Sequence, residues 1–167
     1  MAEDKDKKMI RYIQMGENIE KEGIQFYTKA MKGVVDPNSK KLLKFLANEE
    51  KNHLEYLKSF ERKAKGKKNG AKIKKTNKPI FSKQAYKKMK GGRADTLNIF
   101  NTALDIELKS ARLYSELAKK VKDKDLKSFL KKLINWEKEH YRLIKSHQDA
   151  IYKWQYWEMR TQGRIEM

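Results

Sequence analysis

Cysteine is absent from the 167 residues, proline occurs twice and glycine eight times. Without cysteine there is no disulfide, no thiolate-held metal, no iron–sulfur cluster and no four-cysteine iron module. So few prolines and glycines leave long stretches free to be helical. No apolar run approaches the roughly 20 residues that a membrane span requires. The N-terminal MAEDKDKKMIRYIQM lacks the apolar stretch of a secretory leader, so a cytoplasmic location is expected. What the chain has in plenty is charge. Charged residues make up 38% and apolar residues 38%, the balance of a largely helical, heavily charged protein of one domain spanning residues 1–167.

The net charge of +19 is unevenly spread. From Arg62 to Arg93 the chain carries fourteen Lys or Arg and no acid, so most of the excess falls in one segment. A run of this kind is either a solvated linker or a face for nucleic acid, and like-charge blocks usually stay open, which favours the linker. No aromatic is interleaved between Arg62 and Lys78, so any binding of nucleic acid there would be blind to sequence. An apolar island, Ile80 and Phe81 with Tyr86 and Met89, has the spacing of a short docking helix after Pro79.

The chain repeats itself. A shift of 87 residues aligns Gly16–Lys58 with Ala103–Lys145 without a gap, with 15 identities in 43 columns. Ile19/Ile106, Glu20/Glu107, Tyr27/Tyr114, Asp36/Asp123, Leu46/Leu133, Glu50/Glu137 and His53/His140 are among them. Histidine occurs only three times, so the coincidence of two copies, each with Glu three residues earlier, points to two related halves.

Each half has the periodicity of a helical hairpin, over residues 9–61 and 95–153. In the first, Ile13, Glu20, Ile24, Tyr27 and Met31 recur at helical spacing, Gly33 is a stop, and Asp36-Pro37 supplies an N-cap with proline at the first helical position. A second helix from about Pro37 to about Arg62 carries Leu42, Leu43, Leu46, Glu50, His53, Leu57 and Phe60 on one side. Asp95 or Thr96 can cap a third helix bearing Phe100, Ala103, Glu107, Ala111, Tyr114 and Ala118. Asp123 caps a fourth, with Leu130, Leu133, Glu137, His140, Ile144 and Ile151 along its stripe. Short connections make hairpin partners antiparallel. The connection over 62–94 can travel the length of a 25-residue helix, roughly 38 Å. It would bring helix three beside helix two and parallel to it, giving an all-α four-helix bundle with one long crossover. Residues 154–167 form an aromatic tail, suited to cover a bundle end or pack in a homodimer.

Charge interrupts the apolar stripes at corresponding heights. Positions i, i+4, i+7 and i+11 share a helix face, so Leu46, Glu50, His53 and Leu57 point inward together. Glu20 does the same in the first helix, and Glu107, Glu137 and His140 repeat the pattern. Four uncompensated carboxylates in a leucine-lined core would cost several kcal/mol each, more than a domain's net stability. No Lys or Arg recurs on these stripes. A pair of divalent cations resolves the conflict: two helices give Glu-x-x-His and two give one Glu each. Carboxylate oxygens with one imidazole per ion suit iron or manganese. Tyr27 and Tyr114, seven residues after the lone glutamates, either hydrogen-bond a ligand carboxylate or are ordinary core tyrosines. His147 has Phe60 as its repeat partner and is taken as a satisfied histidine. Glu17, Glu22, Glu49, Glu55 and Glu139 are taken as surface charge.

GENIEKEGIQFYTKA with FLANEEKNHLEYL, and TALDIELKSARLYSEL with LINWEKEHYRLI, resemble the rubrerythrin/erythrin branch of the ferritin-like di-iron carboxylate proteins over about Met9–Ile151. The resemblance implies a ferritin-like bundle and two iron ions (manganese or a mixed pair being the alternatives) on Glu20, Glu50, His53, Glu107, Glu137 and His140. It also implies reaction of ferrous iron with O2 or H2O2, with electrons from a separate donor. Two departures stand out. The cysteine-ligated iron domain of rubrerythrin is missing, and the turn after Glu107 offers Lys109, Ser110 and Ala111 in place of the family's additional glutamate. The same ligands would serve a carrier that holds metal without turnover, and a polyanion-binding role through the basic segment is the third reading.

Overall fold

A computed structural model describes residues 2–66 and 93–162. Four helices make up the described residues: α1 over Ala2–Gly33, α2 over Pro37–Gly66, α3 over Arg93–Lys120 and α4 over Lys124–Thr161. Gly33 ends α1 as expected. Asp36 and Asp123 cap the helices that follow, accepting from the amides of Ser39 at 2.6 Å and Leu126 at 2.8 Å. Each bond satisfies an amide that the first helical turn leaves without a partner. Asp123→Ala is expected to cost about 1 kcal/mol and lower Tm by about 2–4 °C in a thermal melt.

Three expectations about the helices change. The third helix begins at Arg93, which places Asp95 in its first turn and not at its cap. The second continues to Gly66, so Arg62, Lys63 and Lys65 belong to it and not to the crossover; residues 67–92, with Ile80, Phe81, Tyr86 and Met89, lie outside the described part. The fourth does not stop before the aromatic tail but runs through Trp154 to Thr161. There Tyr152, Trp154, Tyr156 and Trp157 are exposed.

Each hairpin packs on itself, and the two hairpins meet through α1 against α3 and α2 against α4. Tyr27 reaches Glu107 while Tyr114 reaches Glu20, so α1 and α3 run antiparallel. Ser39 meets His147 and Phe60 meets Phe129, so α2 and α4 do too. Helices α2 and α3 are therefore parallel, as the long crossover requires, but they occupy a diagonal. The expectation that helix three lies beside helix two is thus corrected: it lies beside helix one. The physical consequence is that the two Glu-x-x-His helices become neighbours. The shared core holds Phe26, Tyr27, Leu43, Leu46, Phe100, Tyr114, Leu130 and Leu133, all sealed from solvent. Gly16 lets α1 lie close to its neighbours, since a Cβ there would meet Leu57 Cδ1 at 3.1 Å.

Candidate metal centre

The stripes converge at mid-height, and all six charged positions picked out by spacing come to one buried point. Glu20, Glu50, His53, Glu107, Glu137 and His140 are each no more than 5% exposed. Helices α1 and α3 each contribute one carboxylate, and α2 and α4 each contribute a carboxylate and an imidazole one turn apart. His53 Nδ1 lies 3.1 Å from Glu50 Oε2, 3.6 Å from Glu20 Oε2 and 3.7 Å from Glu137 Oε1. His140 Nδ1 lies 3.5 Å from Glu107 Oε2 and 3.7 Å from Glu50 Oε1. Glu50 thus turns one oxygen toward each imidazole.

Ligand atoms gather into two overlapping groups, Glu20, Glu50, His53 and Glu137, and Glu50, Glu107, Glu137 and His140. Within each, the atoms lie within 4.8 Å of one another, and Glu50 and Glu137 belong to both. Three atoms of this cluster, Glu107 Oε2, Glu137 Oε1 and His140 Nδ1, are buried without a hydrogen-bond partner. Such orphans are rare in folded proteins, and here all three residues belong to groups whose ligand atoms lie close enough to hold a cation. The residues therefore fit a metal.

Burial and mutual repulsion set the protonation states. Burial, then the charges of neighbouring glutamates, raises Glu137 well above the usual carboxylate range. Burial and the charge of Glu50 raise Glu20 in the same way, against the hydrogen bond from His53. For Glu50 burial also pulls upward, but the two imidazoles outweigh it and hold the carboxyl below its ordinary range. Burial would lower His53, yet Glu20 and Glu50 push it up to about 9; Glu107 and Glu50 likewise carry His140 up to about 10. Without metal, then, two imidazolium ions supply the positive charge among the carboxylates. A metal must displace those protons to reach Nδ1.

Tyr27 donates to Glu107 and Tyr114 to Glu20, each tyrosine from one hairpin to the lone glutamate of the other. Tyr114 also donates to the Gly16 carbonyl at 3.3 Å. Burial, and then the facing glutamates, raises both phenols well above their ordinary value, so they remain donors. Tyr114→Phe is expected to leave Glu20 free to rotate and to weaken metal binding about 10–100-fold, readable by competition with a chelator.

Other glutamates divide. Glu55 and Glu139 lie in solvent, paired with Lys58 and Arg142. Glu22 is half-buried. Glu17, expected at the surface, is instead only 3% exposed, with Oε2 at 3.1 Å from Lys21 Nζ. The reason is legible in the spacing, because 13, 17, 20 and 24 share one face; only the lack of an acidic repeat partner (Leu104) concealed it. Glu49 is half-buried as well. It and its repeat partner Trp136 each precede a shared glutamate, and Trp136 stacks on His53 with ring centres 4.9 Å apart and planes 6° from parallel. His147 is satisfied as expected, with Ser39 Oγ 2.9 Å from Nε2.

A four-helix all-α bundle enclosing clustered glutamates and histidines able to hold metal defines the ferritin-like class. The chain belongs to the rubrerythrin family, whose family model matches residues 2–61 and 18–148. It is also similar to a solved structure, a hypothetical protein from Pyrococcus furiosus, at 18% identity and a TM-score of 0.67, covering 87% of this chain and 90% of that one. That likeness extends to the fold alone. No curated protein matches the chain. No helix among the described residues is long and apolar enough to cross a membrane.

Proposed function

We propose that the centre holds two iron ions and that the protein uses them to reduce O2 or H2O2, with electrons returned by a separate donor. The observation that carries this reading is the sharing of Glu50 and Glu137 between two ligand groups, since two carboxylates common to both sites hold a pair of ions close enough to act together. Two bound irons supply two electrons to one oxidant.

The protein's own part is positioning and exclusion. Glu20 with His53, and Glu107 with His140, give each ion its private ligands, and Tyr114 and Tyr27 fix the two lone carboxylates by hydrogen bonds. The fully buried Leu46 and Leu133, one turn before the shared glutamates, close the core to water on that side. His53 and His140 release protons as metal binds, so uptake is expected to acidify a weakly buffered solution.

Anaerobic addition of Fe(II) should saturate at two per chain, and admitting air or peroxide should then develop a ferric absorption that a reductant reverses through many cycles. A single stoichiometric burst that no donor renews would favour a carrier instead. Saturation without any response to either oxidant would overturn the reading.

A further inference from the structure

One more trio of potential ligands lies at the edge of the centre. Glu49, His53 and His140 each offer a ligand atom, and the three atoms lie within 4.8 Å of one another. Two of the three, Glu49 and His53, line a groove of about 700 Å³ that reaches in from the surface, with Asn52 and Trp136 among its other walls; His140 lies behind them, off the groove. His53 is thus both part of the buried cluster and part of the groove wall. Among the described residues Glu49 forms no ion pair with lysine or arginine, unlike Glu55 and Glu139; its hydrogen bond comes from Asn52 Nδ2 at 3.2 Å. A half-buried carboxylate with no lysine or arginine partner thus stands within ligand distance of two histidines of the centre. The second half of the repeat has none to match it, because Trp136 stands at the equivalent position.

We propose that Glu49, with one ring nitrogen each from His53 and His140, forms an outer site that holds a divalent first-row transition ion on its way to the buried carboxylates. This rests on the reading of the buried cluster as a metal centre. One carboxylate and two imidazoles are a donor set suited to Fe(II), with positions left open to water. A single negative charge binds weakly, as a transfer point should. Both imidazoles are shared with the inner cluster, so the outer site gives them up as the inner positions fill, and the final complement stays at two ions. An intermediate on the path changes how fast ions come and go but not the stability of the filled state. That separates the outer site from a residue that merely orients the imidazoles, whose loss would weaken binding itself, typically 10–100-fold.

The test uses the full chain and Co(II), followed by its visible absorption during rapid mixing and during release to a chelator. In Glu49→Gln, loading and release should both slow, by about tenfold on the scale of electrostatic focusing, while the stoichiometry of two and the equilibrium affinity stay those of the unaltered chain. Glu139→Gln, which removes a solvent-exposed charge already paired with Arg142 and outside the trio, should change neither rate. Loading by Glu49→Gln at the unaltered rate would overturn the outer site, as would an equal slowing in Glu139→Gln. Weaker binding with faster release would overturn it too, in favour of an orienting role. In each of those cases the unaltered chain still takes up two ions and the metal centre stands. Failure of the unaltered chain to bind Co(II) would instead remove the centre, and the outer site with it.

Discussion

Glu137→Gln is expected to cost the centre most of its metal affinity, a hundredfold or more (about 3 kcal/mol or more), while leaving the metal-free fold more stable. The two effects have one cause. Glu137 belongs to both ligand groups, so its loss takes a ligand from each ion at once. In the metal-free protein the same carboxyl is a liability: Oε1 is buried without a hydrogen-bond partner, and the charges of Glu50, Glu107 and Glu20 oppose its ionisation. A neutral amide of the same shape has no charge to form, so folding no longer has to suppress an ionisation that the unfolded chain makes near pH 4.5, a gain of about 1–3 kcal/mol at neutral pH. Metal content after gel filtration reads the first effect, and a thermal melt in chelator the second. A metal-free variant that melts well below the unaltered chain would show that the carboxylate supports the fold by itself, contrary to this account.

Raising the pH from 6 to 9 is expected to destabilise the metal-free protein and to spare the loaded one. His53 and His140 are raised from 6.5 to about 9 and about 10 in the folded state. A group whose folded value lies above its unfolded value contributes stability that is complete below pH 6.5 and drains away as pH climbs through the folded value. Glu20 and Glu137, also raised, act in the same direction beginning from their ordinary value near 4.5. Glu50, held low, adds stability only above its unfolded value and loses it in acid. The metal-free protein should therefore be most stable in mildly acidic solution, with Tm falling by about 5 °C or more by pH 9. With metal on Nδ1 the imidazoles carry no such proton in the folded state, so the loaded protein should gain slightly between pH 6 and 7, where unfolded histidines still take up protons, and stay level to pH 9. A melt series at pH 6, 7, 8 and 9, with chelator and with metal, decides the matter; parallel curves would contradict it.

Much of the candidate centre was legible before any coordinates. The 87-residue repeat paired Glu20 with Glu107, Glu50 with Glu137 and His53 with His140, and helical spacing alone put each on an apolar stripe where an ion is costly. The caps at Asp36 and Asp123 followed from residue type at a helix start. Glu17 escaped notice because repeat logic discounted a position whose partner is Leu104, although its spacing from Ile13 and Glu20 marked it as buried. Glu49 and Trp136 escaped for a different reason. Each lies at the border of its stripe, and a border position is buried or exposed according to the neighbouring helix, about which one helix's periodicity says nothing. The length of α4 was underestimated because its aromatic end continues the helix while remaining in solvent, so no change of period marks the boundary.

By itself the order of residues determined that there are two hairpins, which side chains each helix turns inward, and that four acids and two imidazoles share the middle of the core. Those are local consequences of a 3.6-residue turn. The tertiary structure alone decided that α3 lies beside α1 and α4 beside α2, and hence that each tyrosine serves the opposite hairpin's glutamate. It also decided that Glu50 faces both imidazoles and that one edge of the cluster opens onto a groove. Those depend on how four helices pack around a shared space, and contacts between segments 80 to 108 residues apart leave no periodic trace along the chain.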